Sequence, residues 1–221
     1  MKLPNYDNLQ TKKDKDEKID RVYPALCDFY SSISRTLICG PSGSGKTNLL
    51  LHILLTPLIY YESIVLYTKT PDQPKYVEIK KVFDKLAKDN KITSFFEIKS
   101  GNVEPVDDLE KKLFKLIIFD DYILEKAQFD HIVKYFVLGR HHKCSVIFLS
   151  QSYYQTPKNI RINCSQFHLF SVPGRRETRS ILQDHSGITE KQYLDNTQGF
   201  DFLSINKVTK KAFRNMDEPL A

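Results

Sequence analysis

Gly40, Pro41, Ser42, Gly43, Ser44, Gly45, Lys46 and Thr47 follow the spacing G-x-x-x-x-G-K-[ST], and Asn48 opens an apolar helical run to Leu55. Glycines at 40, 43 and 45 allow backbone conformations closed to other residues, so successive N–H groups turn inward as an anion nest at a helix N-terminus. The chemistry of such a nest is phosphate binding. Lys46 would reach the β and γ phosphates of ATP as a point charge, and the Thr47 hydroxyl would ligate Mg²⁺. Hydrolysis also needs a metal holder and a water activator, and the run Leu116 to Phe119 delivers Asp120 and Asp121. Asp120 is placed to hold the metal through its water shell, and Asp121 to polarise the attacking water as a general base. Taken alone, two acids after an apolar run also read as turn formers; the glycine-rich loop upstream favours the chemical reading. A further apolar run, Cys144 to Ser150, ends in Gln151, an amide that can orient water at the γ-phosphate or simply cap a strand.

These groups meet only if the chain brings three loops together. Thr36 to Cys39, Ile64 to Thr68, Leu116 to Phe119, Val146 to Ser150 and Phe167 to Val172 are short, continuous and β-rich, the pattern of strands buried on both faces of a parallel sheet. Helical segments alternate with them. Thr70 to Gln73 reads as a T-x-x-Q capping box opening a helix with Val77, Val82, Phe83 and Leu86 toward the core. Gln128 to Leu138, presenting Ile132, Val133, Phe136 and Val137, and Arg175 to Gln183 are the other helical candidates. Alternation with right-handed crossovers gives an α/β, doubly wound sheet. At the end, Phe200 to Ile205 and Ala212 to Met216 flank a turn and predict a C-terminal β-hairpin.

The 221 residues suit a single domain, residues 21–221, preceded by a polar arm, residues 1–20, that mixes five Lys with five acidic residues. No stretch reaches the roughly 20 clean apolar residues of a membrane span, and no secretory signal is read at the N-terminus. Cys27, Cys39, Cys144 and Cys164 form no C-x-x-C pair, which favours reduced thiols inside a cell. The net charge of +6 is uneven: residues 1–130 hold 20 Lys/Arg against 20 Asp/Glu, and residues 131–221 hold 13 against 7. The C-terminal part therefore suits a polyanion partner, or carries a basic soluble surface. A GTPase reading of Asn206-Lys207-Val208-Thr209 with Asp184 to Gly187 fails on order and spacing. His141-His142-Lys143-Cys144 has no second ligand pair and reads as a solvated turn.

Gly40 to Thr47, Leu116 to Asp121, and Gly139-Arg140-His141 leading into Val146 to Tyr153 together resemble the genome-packaging ATPases of poxviruses, other large DNA viruses, virophages and related mobile elements, within the FtsK/HerA group of P-loop motors. The likeness covers about residues 33–172 and weakens through the terminal hairpin. It implies an additional-strand P-loop NTPase with strand order 5-1-4-3-2, flanked by helices, the Gln151 strand lying between those bearing Lys46 and Asp120. It also implies a homo-oligomeric ring, pentamer or hexamer, that pumps double-stranded DNA into a capsid, with capsid vertex proteins as further partners and the host cytoplasm, viral factory or virion as location. Arg140 matches the family's position for an arginine completing the neighbouring subunit's site; otherwise it complements a helix dipole after Leu138. Asp121 stands where Glu is usual, and its shorter side chain must sit nearer the water. Lys158 and Arg161, and the cluster Arg175, Arg176 and Arg179, are the candidate DNA-backbone contacts, a solvated face being the alternative for the cluster. The rivals to a motor are a P-loop kinase acting on a small acceptor and a nucleotide-gated binding module that does not hydrolyse.

Overall fold

A computed structural model describes residues 29–31, 33–56, 58–88, 95–109, 112–122 and 126–220. The expected arm at residues 1–20 lies outside the described residues. In chain order the elements are β1 (Arg35–Cys39), α1 (Lys46–Leu55), β2 (Ser63–Thr68), α2 (Pro74–Lys88), β3 (Phe95–Lys99), β4 (Lys115–Asp120), α3 (Lys126–Leu138), β5 (Cys144–Ser150), α4 (Lys158–Asn163), β6 (Gln166–Phe170), α5 (Arg175–Asp184), α6 (Glu190–Asp195), β7 (Phe202–Asn206), β8 (Lys211–Arg214) and β9 (Glu218–Pro219). They build one sheet of order β3-β2-β4-β5-β1-β6-β7-β8-β9. Its centre, β6-β1-β5-β4-β2, is the parallel 5-1-4-3-2 arrangement, with β5 between β1 and β4 as expected.

The central strands are apolar at successive positions because both faces are covered. On one face Leu37, Ile117, Phe119, Val146, Phe148 and Phe167 pack with Ile132, Tyr135 and Phe136 of α3 and Ile181 of α5. On the other, Ile38, Ile64, Leu66, Ile118, Ile147 and Leu149 pack with Leu50, Ile53 and Leu54 of α1 and Tyr76, Ile79 and Phe83 of α2. Every residue of β5 is buried.

The buried faces of two helices differ from expectation. On α2 they are Tyr76, Ile79 and Phe83, and Val82 is exposed; on α3, Tyr135 joins Ile132 and Phe136 while Val137 is exposed. The capping box expected at Thr70–Gln73 is absent, because Pro74 would be the residue whose N–H must bond the Thr70 carbonyl, and proline has none. The Gln73 N–H instead closes a turn on the Thr70 carbonyl at 3.2 Å, and α2 starts with Pro74 as its first residue. The parallel edge strand β3, paired to β2, was not anticipated. Beyond β6 the sheet turns antiparallel through the predicted hairpin, β7 and β8, and the two-residue β9. None of the described helices is long and apolar enough to cross a membrane.

Candidate functional site

Strand register brings the three loops to one edge. Cys39 pairs with Ser150, Asp120 with Leu149 and Thr68 with Asp120, so β1, β5, β4 and β2 end at nearly the same level. Two backbone bonds cross just beyond the pairing, from Gly40 N–H to the Ser150 carbonyl and from Asp121 N–H to the Leu149 carbonyl, each 3.1 Å. This carboxyl edge is where α/β sheets bind ligands. A cleft of about 460 Å³ opens there, lined by Ser42, Gly43, Gly45, Lys46, Thr47, Asn48, Asp120, Asp121 and Gln151, with Thr68 to Thr70, Gln73, Lys75 and Phe200 completing it.

In the glycine-rich loop, Gly43 (φ 78°) and Gly45 (φ 107°) occupy left-handed backbone that side chains disfavour. Gly40 is required for a different reason than the sequence reading gave. A Cβ there would lie 2.6 Å from Ser44 Oγ and 2.7 Å from Phe170 Cβ, so it is space, not dihedral freedom, that demands glycine. Lys46 Nζ donates to the carbonyls of Gly40 (2.6 Å) and Pro41 (3.0 Å). Burial lowers the Lys46 pKa, opposed by the charges of Asp121 and Asp120. Lys75 Nζ donates to Asn48 Oδ1 at 2.7 Å.

Asp120 is held by a residue that sequence reasoning missed. Tyr76 Oη donates to Asp120 Oδ2 at 2.5 Å. Burial raises the Asp120 pKa, and Asp121 adds to that, while the Tyr76 hydroxyl and Lys46 pull it down. Burial and the Asp120 charge in turn push the Tyr76 phenol up, and the Thr47 hydroxyl opposes this by hydrogen bonding to it. Thr47, Tyr76 and Asp120 are thus one contiguous group of oxygen atoms. Asp121 takes left-handed backbone (φ 49°), which aspartate tolerates, and accepts a hydrogen bond from Gln151 Nε2. The amide is thereby tied to the proposed base. Hydroxyl and carboxylate oxygens of this kind fit Mg²⁺, which takes few protein ligands and completes its shell with water and phosphate.

The loop after Gln151 is tied to α5 through Glu177, which accepts from Ser152 Oγ (2.5 Å) and from the Tyr154 N–H (2.9 Å). Arg176 lies 3.8 Å from the Tyr154 ring centroid and donates to its hydroxyl. Arg161, a DNA candidate from sequence, is spent internally. It pairs with Asp184, donates to the Thr156 carbonyl at 3.0 Å and covers the Tyr153 ring, leaving its side chain 13% exposed. Lys158, Arg175 and Arg179 are exposed. Arg140 is exposed in a 3-10 turn, Gly139–His142, at the opposite end of β5 from Gln151, so it does not join the cleft of its own chain.

The chain matches the Poxvirus A32 protein family over residues 28–209. The DNA packaging protein OPG160 of Variola virus and that of Vaccinia virus (strain Copenhagen) are each 28% identical to it over 144 residues, 62% of this chain and 53% of the relative. The chain spans about half the length of these curated relatives. Among solved structures, the genome packaging NTPase B204 of Sulfolobus turreted icosahedral virus 2 in complex with sulfate superposes with a TM-score of 0.59 at 13% identity, covering 83% of this chain and 96% of that one. The same NTPase with AMPPCP gives 0.58 at 14% identity, covering 83% and 97%. The likeness is one of fold, and the family match extends from before β1 into the turn of the terminal hairpin: this chain belongs to the Poxvirus A32 protein family.

Proposed function

We propose that this protein is an ATP-hydrolysing motor that drives double-stranded DNA into a viral capsid, acting as a homo-oligomeric ring at the site of virion assembly in the host cell. The observation that carries it is the single cleft shared by the glycine-rich loop, the Asp120–Asp121 pair and Gln151. Support comes from relatives that are DNA packaging proteins and from a fold shared with an NTPase crystallised with ATP analogues.

In this reading the loop N–H groups and Lys46 cradle the β and γ phosphates. Thr47 and Asp120 hold Mg²⁺, which would neutralise charge on the phosphates. Asp121, oriented by the Gln151 amide, takes a proton from the attacking water. Arg140 serves the site of a neighbouring subunit, and capsid vertex proteins dock the ring. Lys158, Arg175, Arg176 and Arg179 grip phosphates without reading sequence, as a motor indifferent to base order requires; Arg161 is dropped from that set because its guanidinium is already engaged.

ATP turnover measured with and without linear duplex over a series of salt concentrations tests the proposal. Duplex is expected to stimulate turnover, less so as salt rises, and Lys46→Ala is expected to abolish nucleotide binding. Turnover indifferent to DNA would remove the motor while sparing the nucleotide site, and a phosphorylated small product would point to a kinase instead.

A further inference from the structure

Phe200 is 76% exposed, the most exposed of the large apolar side chains among the described residues, and it lines the phosphate cleft. Single apolar side chains on a surface are ordinary. This one is distinguished by where it stands and by how firmly it is held there.

Its ring edge is beside the glycine-rich loop: a Cβ on Gly45 would lie 3.8 Å from Phe200 Cδ1, on the same side as the Phe170 ring at 3.4 Å. Phe170 is 2% exposed and packs on Phe202, ring centroids 5.1 Å apart. Phe170 and Phe200 thus both border the glycine-rich loop at Gly45, the first buried in the core and the second open to the cleft. The turn that carries Phe200 is pinned on both sides. Before it, Thr197 Oγ1 donates to the Tyr193 carbonyl at 2.9 Å. After it, the Asp201 N–H bonds the Gln198 carbonyl at 3.0 Å, and the Asp201 carboxylate accepts from Arg214 Nη2 (2.6 Å) and Asn215 Nδ2 (2.7 Å). The Phe202 N–H is taken by Asn215 Oδ1 at 3.0 Å. Phe200 is therefore presented by braced backbone at the β7 edge of the cleft, across the glycine-rich loop from the acidic pair.

A nucleotide whose phosphates fill the loop carries a flat aromatic base one ribose away. We propose that Phe200 is the platform on which that base stacks. The inference rests on the nucleotide site proposed above and adds to it the residue that distinguishes a nucleotide from a bare polyphosphate. Stacking reads a π-face and not an edge, so Phe200 holds adenine and guanine alike.

The test compares ATP with inorganic tripolyphosphate as ligands in calorimetric titrations of the whole chain, wild type against Phe200→Ala and Phe200→Trp. Phe200→Ala is expected to weaken ATP by about tenfold or more, to weaken GTP similarly, and to leave tripolyphosphate unchanged, while Phe200→Trp retains ATP affinity. Equal losses for ATP and tripolyphosphate would assign Phe200 to support of the loop and overturn the platform. Unchanged affinity for both would overturn it too. A wild-type chain that binds tripolyphosphate as tightly as ATP keeps the phosphate site and loses the platform. One that binds neither brings down the nucleotide site itself.

Discussion

Tyr76 shows what a single side chain adds to a motif. The sequence places Asp120 at the end of an apolar run, but a carboxylate there can rotate. The Tyr76 hydroxyl, reaching over from α2, fixes one oxygen at 2.5 Å and leaves the other to the proposed metal site. A hydrogen bond to a charged group is worth about 1.5–3 kcal/mol. Tyr76→Phe keeps the ring and removes only that bond, so turnover is expected to fall about tenfold or more with KM for ATP little changed. Steady-state kinetics over a range of ATP concentrations checks this. A rise in KM with kcat intact would move Tyr76 from positioning Asp120 to binding nucleotide. Nothing in the sequence marked this tyrosine, because its spacing from Asp120 has meaning only once α2 is folded against β4.

At the scale of elements, β5 carries Gln151 at one end and follows Arg140 at the other. Its seven residues span about 20 Å at the usual strand rise, so Arg140 cannot serve the cleft of its own chain. That position fits the role proposed for it at a neighbouring subunit's site. Mixtures of Arg140→Ala and Asp121→Asn chains are expected to recover ATP turnover above either variant alone, since some interfaces then hold an intact arginine facing an intact acid. Mixtures no better than their parents would count against the shared site. Helix starts teach a related lesson. Thr70–Gln73 and Thr189–Gln192 carry the same T-x-x-Q spacing, and only the second forms the box, with Gln192 N–H to Thr189 Oγ1 at 3.1 Å and Thr189 N–H to Gln192 Oε1 at 3.0 Å. Pro74 decides the difference, so the pattern must be read with the residue that follows it.

Across the whole molecule, a buried polar chain fastens the segment before β1 to β6 and β7. His168 on β6 lies 2.6 Å from Tyr30 Oη and 2.9 Å from Ser204 Oγ on β7, and the Phe29 carbonyl accepts from Asn206 Nδ2 at 2.7 Å. Burial lowers the His168 pKa from 6.5 to about 3, and that of His185 to about 4. The unfolded chain takes up a proton on each near pH 6.5, whereas the native fold resists until far lower. Their stabilising contribution is thus complete above pH 6.5 and declines as pH falls toward 4. Thermal unfolding between pH 7 and 4 is expected to show Tm falling in that window, with a shallower slope in His168→Gln. An equal slope in the variant would show that native His168 takes up its proton as readily as the unfolded chain does.

The glycine-rich loop, the acidic pair, the central strands and the terminal hairpin were legible in the chain because each is written locally, as a fixed spacing, an apolar run or a turn, whereas the order of the strands came from the family resemblance alone. The edge strand β3, with Glu97 and Lys99 in a five-residue stretch, carries too little apolar signal to be read before β2 is there to pair with it. Partners depend on packing instead: Tyr76 reaches Asp120, Glu177 holds the loop after Gln151, Arg161 is consumed by Asp184, and Phe200 stands at the mouth of the cleft. Local sequence sets which backbone each segment favours. Which side chains then meet across 23 to 44 residues of chain is decided only when two faces of one sheet are covered at once.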